Sequence, residues 1–197
     1  MAKLDFSTEE LQILLDNTPN VAELGIYVDV PIDYEPKVSP QELAVLQDLI
    51  YNNKKFCEAI KYGNKLLRQY PEEGIVQELL AVAYFKGRKQ IHNYRAKCIS
   101  YVKKALSNRV FNNVLLKRLV LELGKGGCYY QIKQLWDFLK ENHNLIAKAR
   151  YPINMDYYEA KAVVASKRID QGIAKDSPKH KLFSKSQKEK IIAYLNS

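Results

Sequence analysis

The 197-residue sequence lacks the features that mark several classes of protein. No stretch approaches the length of uncharged apolar residues that a membrane-spanning helix needs. The N-terminus, MAKLDFSTEELQ, has no apolar h-region, so the sequence predicts no secretory signal. Only eight glycines and seven prolines occur, and 47% of the residues are hydrophobic, which excludes a low-complexity or wholly disordered chain. We therefore expect a cytoplasmic protein with a buried core and no membrane partner.

Cysteine is also scarce. Cys57, Cys98 and Cys128 are an odd number, lie far apart and form no CxxC pair. This pattern argues against a disulfide framework or a zinc site and favours a reducing compartment. Helical position predicts that Cys57 and Cys98 face the core, and that Cys128, beside a turn, is the exposed thiol.

Recognisable catalytic motifs are missing. The histidines fall in predicted turns or linkers, and no HExxH, GxSxG, Walker-type or GxGxxG motif occurs. The segment Gly124-Lys-Gly-Gly127 has no preceding strand and no P-loop spacing, so it predicts a hairpin turn. The sequence therefore predicts neither an enzyme nor a bound cofactor or metal.

Charge is divided unevenly along the chain, whose net charge is +9. Residues 1–50 carry ten acidic and two basic side chains, a balance of −8, and the remainder carries 29 basic and 12 acidic, a balance of +17. No carboxylate lies between Glu78 and Glu122. That interval holds ten basic residues: Lys86, Arg88, Lys89, Arg95, Lys97, Lys103, Lys104, Arg109, Lys117 and Arg118. Such a split indicates a charged partner, or one part of the chain screening another.

Helical patterns dominate the sequence. Ser7-Thr-Glu-Glu10 and Ser39-Pro-Gln-Glu42 both have capping-box spacing and predict helix starts. Apolar periodicity predicts helices over about 40–50, 56–69, 72–86, 95–107, 114–123, 129–141 and 155–171, with a short one after Ser184. We divide the chain into an acidic N-terminal helix and connector (1–38), a helical domain with a capping helix (39–172), and a basic linker with a short C-terminal helix (173–197).

The predicted hairpins recur at a fixed interval. Leu46 lies 34 residues before Leu80, and the same offset relates Ile50 to Tyr84. The segment from Leu79 to Gly87 and the Phe56-to-Pro71 helix resemble the tetratricopeptide repeat family. The resemblance implies an all-α, antiparallel helical-hairpin solenoid of about three repeats with a C-terminal capping helix. A non-repeating α-helical bundle is the alternative.

The resemblance also implies a binding surface. In this family the first helix of each hairpin lines a concave groove that holds an extended peptide or a partner helix. The partner implied is a polypeptide that is acidic and carries apolar anchors; the oligomeric state stays open. On this frame the groove residues are Tyr51, Asn52, Val82, Phe85, Lys86, Lys117, Arg118 and Leu121.

Two other hypotheses remain open. The 86–118 region could bind RNA or single-stranded DNA, with cations neutralising phosphates and tyrosines stacking on bases. Alternatively, the acidic connector, in which Ile26, Val28, Val30 and Ile32 alternate with other residues, could occupy the groove until a partner displaces it. The residues proposed for nucleic acid are Arg88, Lys89, Tyr94, Arg95, Lys97 and Tyr101.

Overall fold

The computed structural model describes residues 34–146 and 154–177. Every regular element within these ranges is a helix, which confirms the predicted all-α class. The first predicted capping box, most of the acidic connector and the short C-terminal helix lie outside the described residues. The helices are α1 Pro40–Tyr51, α2 Phe56–Gln69, α3 Gly74–Lys86, α4 Tyr94–Ser107, α5 Asn113–Lys125, α6 Tyr129–Glu141, α7 His143–Ile146 and α8 Met155–Asp170.

None of these helices combines the length and the apolar character that crossing a membrane requires.

Helix boundaries follow local signals closely. Ser39 Oγ accepts a hydrogen bond from the Glu42 amide at 3.3 Å, and the Glu42 carboxylate accepts one from the Ser39 amide at 3.2 Å. This is the predicted capping box. The predicted end of α5 at Leu123 is wrong, because the helix continues through Gly124 to Lys125. The left-handed residue that closes the turn is Gly127, with φ of 70°.

The chain divides into two compact units. The N unit comprises the described residues 34–117 and 142–146, and the C unit comprises 118–141 and 154–177. The division falls inside α5, so the predicted helical domain, 39–172, contributes to both units.

In the N unit, α3 is the central helix and contacts α1, α2 and α4. All residues from Val76 to Phe85 are buried, because only Gln77 and Glu78 interrupt an otherwise apolar sequence. A helix that is apolar on all sides is buried on all sides. Close packing against α2 depends on Gly63, since a Cβ there would lie 2.7 Å from Cδ2 of Leu80.

In the C unit, α6 packs against α8. Tyr158, Ala162 and Ala165, which share one face of α8 at i, i+4, i+7 spacing, are buried; Tyr158 and Ala162 are at most 5% exposed and Ala165 is fully covered. Asn154 caps α8, its Oδ1 accepting a hydrogen bond from the Tyr157 amide at 3.1 Å.

The residues after α8 correct the predicted linker. Ala174 is 3% exposed, and the Lys175 amide donates a 2.9 Å hydrogen bond to the carbonyl of Gly127. The Asp176 carboxylate accepts hydrogen bonds from the amides of Tyr130 at 3.2 Å and Gln131 at 2.9 Å. These are amides at the start of α6 that have no partner within the helix. Residues 174–176 therefore cap α6, so the linker interpretation is wrong for them.

The cysteine prediction is wrong for two of the three positions. Cys57 is exposed, whereas Cys128 is buried and only 7% accessible. Cys57 lies two residues before the buried Ala59, which places it about 200° away around α2. Cys98 is fully covered, as predicted.

Candidate functional site

The N unit contains an open cleft of about 430 Å³ between α2 and α4, with the start of α3 beside it. The second helices of the predicted hairpins, α2 and α4, supply most of the lining. Pro71 in the turn before α3 and Gln77 on α3 supply the rest. The lining residues are Asn64, Leu67, Arg68, Pro71, Gln77, Tyr101 and Lys104.

A hydrogen bond across the cleft fixes Tyr101. Its hydroxyl donates to Oδ1 of Asn64 at 2.7 Å, which ties α4 to α2. Its ring stacks on Tyr84, with centroids 5.7 Å apart and planes inclined by 17°. Burial, and then the neighbouring Tyr84, raise the pKa of Tyr101, so the phenol stays protonated and remains a donor.

Among the described residues that line the cleft, Gln77 is the buried one. Its Nε2 donates to the carbonyl of Pro71 at 2.8 Å, and its Oε1 accepts from Nδ2 of Asn108 at 2.8 Å. The nitrogen and the oxygen of this side-chain amide are therefore both hydrogen-bonded, and only 3% of the residue is exposed. The pair of hydrogen bonds keeps the turn before α3 in a fixed position relative to the end of α4.

The charge of the cleft has one sign. Arg68 and Lys104 are exposed at its edge, and none of the described lining residues is acidic. The Lys104 ammonium lies 5.5 Å from the ring centroid of Tyr101. Leu67 and Pro71 add apolar surface beside these cations. The combination suits a carboxylate or phosphate group carried next to an apolar one.

Most of the predicted groove residues do not form an open wall. Val82 and Phe85 are 1% and 9% exposed and belong to the core around α3, so neither is a surface anchor. The Tyr51 hydroxyl is buried, and the ammonium of Lys86 lies 4.5 Å from the Tyr51 ring centroid. Asn52 is exposed.

The remaining predicted groove residues lie on α5. Lys117 belongs to the N unit, whereas Arg118 and Leu121 belong to the C unit, and all three are exposed.

Two of the cations predicted to bind nucleic acid already lie against aromatic rings of the protein. The Arg88 guanidinium lies 5.1 Å from the Phe85 ring and donates to the Phe85 carbonyl at 3.2 Å. The guanidinium of Arg95 lies 5.1 Å from the Tyr94 ring. Lys89 and Lys97 are exposed. Tyr101, the sixth member of the set, lies in the cleft.

A buried polar cluster lies apart from any surface. Glu78 Oε1, the Tyr51 hydroxyl and Asn112 Nδ2 are all buried without a hydrogen-bond partner among the described residues. Burial raises the pKa of Glu78 to about 8, and the Asn112 side chain offsets part of the rise. Burial and then the Glu78 charge raise the pKa values of Tyr51 and Cys98. Glu78 is thus a core carboxyl.

Of the residues that line the cleft, only Tyr101 is among the binding residues predicted from the sequence. Asn64, Arg68, Gln77 and Lys104 were not predicted, because the tetratricopeptide resemblance assigns binding to the concave side of the first helix of each hairpin. A signal was present: Tyr94, Lys97, Tyr101 and Lys104 follow i, i+3, i+7, i+10 spacing, which puts them on one face of α4.

Comparison with models of known families, with curated proteins and with solved structures finds no match to the chain.

Proposed function

We propose that this protein is an α-helical interaction module that binds an acidic polypeptide segment in the cleft between α2 and α4. Arg68 and Lys104 would pair with carboxylates of the partner, and Leu67 with Pro71 would contact an adjacent apolar side chain. The observation that carries the proposal is that two exposed cations line one cleft whose described lining contains no acid. Charge-assisted hydrogen bonds of this kind are among the stronger polar contacts in binding sites.

We propose further that α1–α4 are two hairpins of tetratricopeptide type. The support is that α1 contacts both α2 and α3, that α3 contacts α4, and that Gly63 allows close approach at Leu80. On this arrangement the binding surface lies on the second helices. The inner face of α3 has no exposed apolar anchor to offer, because Val82 and Phe85 are buried.

Binding of RNA or single-stranded DNA is the second candidate. The observation in its favour is that Arg88, Lys89 and Lys97 are exposed in a carboxylate-free stretch of the chain. Against it, the Tyr94 ring already contacts Arg95, and the Tyr101 ring contacts Tyr84 and Lys104. Base stacking would need these faces. We therefore favour a polypeptide.

Selection from a random peptide library displayed on phage tests the proposal. Wild type is compared with Arg68→Glu/Lys104→Glu, and with Lys89→Glu/Lys97→Glu as a control that reverses the same number of exposed charges. We expect peptides enriched in acidic and apolar residues from wild type and from the control, and none from the cleft variant. Selected peptides without acidic enrichment, or equal selection by all three proteins, would reject the proposal.

The nucleic-acid alternative has its own readout. Fluorescence anisotropy with a labelled thymidine oligonucleotide, repeated across a salt series, measures phosphate contacts directly, because such binding weakens steeply with salt. Salt-sensitive binding that is lost in Lys89→Glu/Lys97→Glu would support the alternative. Absence of binding at low salt would exclude it for this oligonucleotide.

A further inference from the structure

The first 33 residues of this chain are strongly acidic. They contain seven acidic residues against one basic residue, Lys3. The acidic residues are Asp5, Glu9, Glu10, Asp16, Glu23, Asp29 and Asp33. The described structure begins directly after them, at Tyr34. Where Tyr34 is held therefore determines where this segment meets the rest of the protein.

Tyr34 is fixed at the start of α3. Its hydroxyl donates a hydrogen bond to the Glu73 carboxylate and accepts one from the Gly74 amide at 2.9 Å. The other carboxylate oxygen of Glu73 accepts a 2.7 Å hydrogen bond from the Lys37 amide. Glu73 and Val38 are each only 2% exposed. Residues 34–38 are consequently a fixed part of the N unit.

This attachment point lies beside the cleft. Gly74, which bonds the Tyr34 hydroxyl, is three residues before Gln77 on α3, a separation of about 5 Å along the helix axis. Pro71, another lining residue, lies two residues before Glu73. Nine residues in extended conformation reach about 30 Å, so residues 25–33 are long enough to enter the cleft. The acidic segment thus joins the N unit next to its cationic site.

We infer that residues 25–33 occupy the cleft of the same chain, with Asp29 and Asp33 paired to Arg68 and Lys104. The alternation of Ile26, Val28, Val30 and Ile32 with the other residues suits an extended segment that has an apolar and an acidic side. Leu67 and Pro71 would contact the apolar side. The inference rests on the proposed function in that both use one cleft. An external acidic polypeptide must then displace the chain's own segment.

Paramagnetic relaxation enhancement in the full chain tests this contact. A nitroxide is attached to Ile26→Cys in a Cys57→Ser background, because the other two cysteines are buried. The signals observed are the side-chain amides of Asn64 and Gln77. We expect them to broaden, and to recover in Asp29→Asn/Asp33→Asn. The matched control, Glu9→Gln/Glu10→Gln, removes the same charge from the same segment and should leave the broadening unchanged.

Reversing the charges on both sides gives a second measurement. Arg68→Glu/Lys104→Glu changes exposed residues, so the fold should be retained, and it should abolish the broadening. Adding Asp29→Lys/Asp33→Lys to that variant should restore it. The inference would be overturned if the broadening is unchanged in Asp29→Asn/Asp33→Asn, or if the Glu9→Gln/Glu10→Gln control reduces it equally.

A mixed sample identifies the chain that supplies the segment. In this sample, spin-labelled protein of natural nitrogen abundance is mixed with ¹⁵N-labelled protein that carries no nitroxide. If the ¹⁵N signals broaden, the occupant is a second copy and the intramolecular inference is wrong. The proposed function is judged independently by phage selection. If phage selection fails but the broadening persists, the binding of an external polypeptide is rejected and the intramolecular contact stands. If both hold, Asp29→Asn/Asp33→Asn should bind a selected peptide more tightly than wild type, because it removes a competitor; the gain would be about tenfold for a segment that fills about nine-tenths of the clefts.

Discussion

The Tyr101 hydroxyl and the Asn64 side chain are joined by a 2.7 Å hydrogen bond that connects α4 to α2. Both residues line the cleft, so this bond sets the separation of its two main walls. It also links residues 37 positions apart in sequence, which makes it a tertiary contact that no local pattern encodes.

Tyr101→Phe removes this bond and keeps the ring. We expect a loss of about 1 kcal/mol in the free energy of unfolding, the usual net value of one such bond. Urea denaturation followed by circular dichroism measures it. Tyr70→Phe, which also removes one tyrosine hydroxyl, is the control and should change stability by less. Equal losses in the two variants would show that the Asn64 contact contributes nothing specific.

Glu78 should make stability depend on pH. Its pKa in the folded protein is about 8, against an ordinary value of 4.5, so between these values the folded state binds a proton that the unfolded state has lost. The contribution of Glu78 to the free energy of unfolding is therefore fully present below about pH 4.5 and is lost progressively as the pH rises towards 8. Glu78→Gln should remove the decline and give a melting temperature higher than wild type by several degrees near pH 8.

Thermal melts of Glu78→Gln and wild type between pH 5 and pH 9 test that expectation. Glu58→Gln, at an exposed position on α2, serves as the control and should follow the wild-type curve. A Glu78→Gln curve parallel to wild type would mean that the carboxyl is not protonated in the folded state.

The Tyr34 anchor should contribute to stability. Tyr34→Phe removes the donor to Glu73 and the acceptor for the Gly74 amide, both in a part-buried position. We expect destabilisation of about 1–3 kcal/mol, because buried polar groups lose their partners. Chemical denaturation measures the change, with Tyr70→Phe as the control. A variant as stable as the control would mean that residues 34–38 are dispensable for the N unit.

Asp176 should stabilise the start of α6. Asp176→Ala leaves the Tyr130 and Gln131 amides without their acceptor, a loss of about 1 kcal/mol, as for other N-cap residues. Hydrogen exchange at these two amides should accelerate. Asp170→Ala, an exposed change at the end of α8, should leave both exchange rates unaltered. Unchanged exchange in Asp176→Ala would contradict the cap.

Thiol modification provides a check on the core. Under native conditions a thiol reagent should modify one cysteine, Cys57, and the other two only on unfolding, because Cys98 and Cys128 are buried. Peptide mapping after labelling identifies the site. Rapid native modification of Cys128 would show that the turn before α6 opens readily.

Local chemistry made the helices predictable. The Ser39 and Glu42 pair defined the start of α1, and the bounds of α6 agree with the predicted 129–141. The cleft was not predictable in the same way, because it forms where α2 and α4 meet and depends on the Tyr101–Asn64 contact. The burial of Phe85 was missed for a different reason. The repeat frame assigns every first helix a free inner side, whereas the apolar composition of α3 indicates that it has none.

The enclosure of α3 has a consequence for how this sequence can diverge. A helix with no side facing water tolerates few replacements, since larger residues clash and smaller ones leave voids. Saturation mutagenesis should therefore find the run from Val76 to Phe85 intolerant at almost every position, in contrast to the outer face of α2. Distant relatives of this chain should accordingly be easiest to recognise by that ten-residue run, VQELLAVAYF, long after their surfaces have changed.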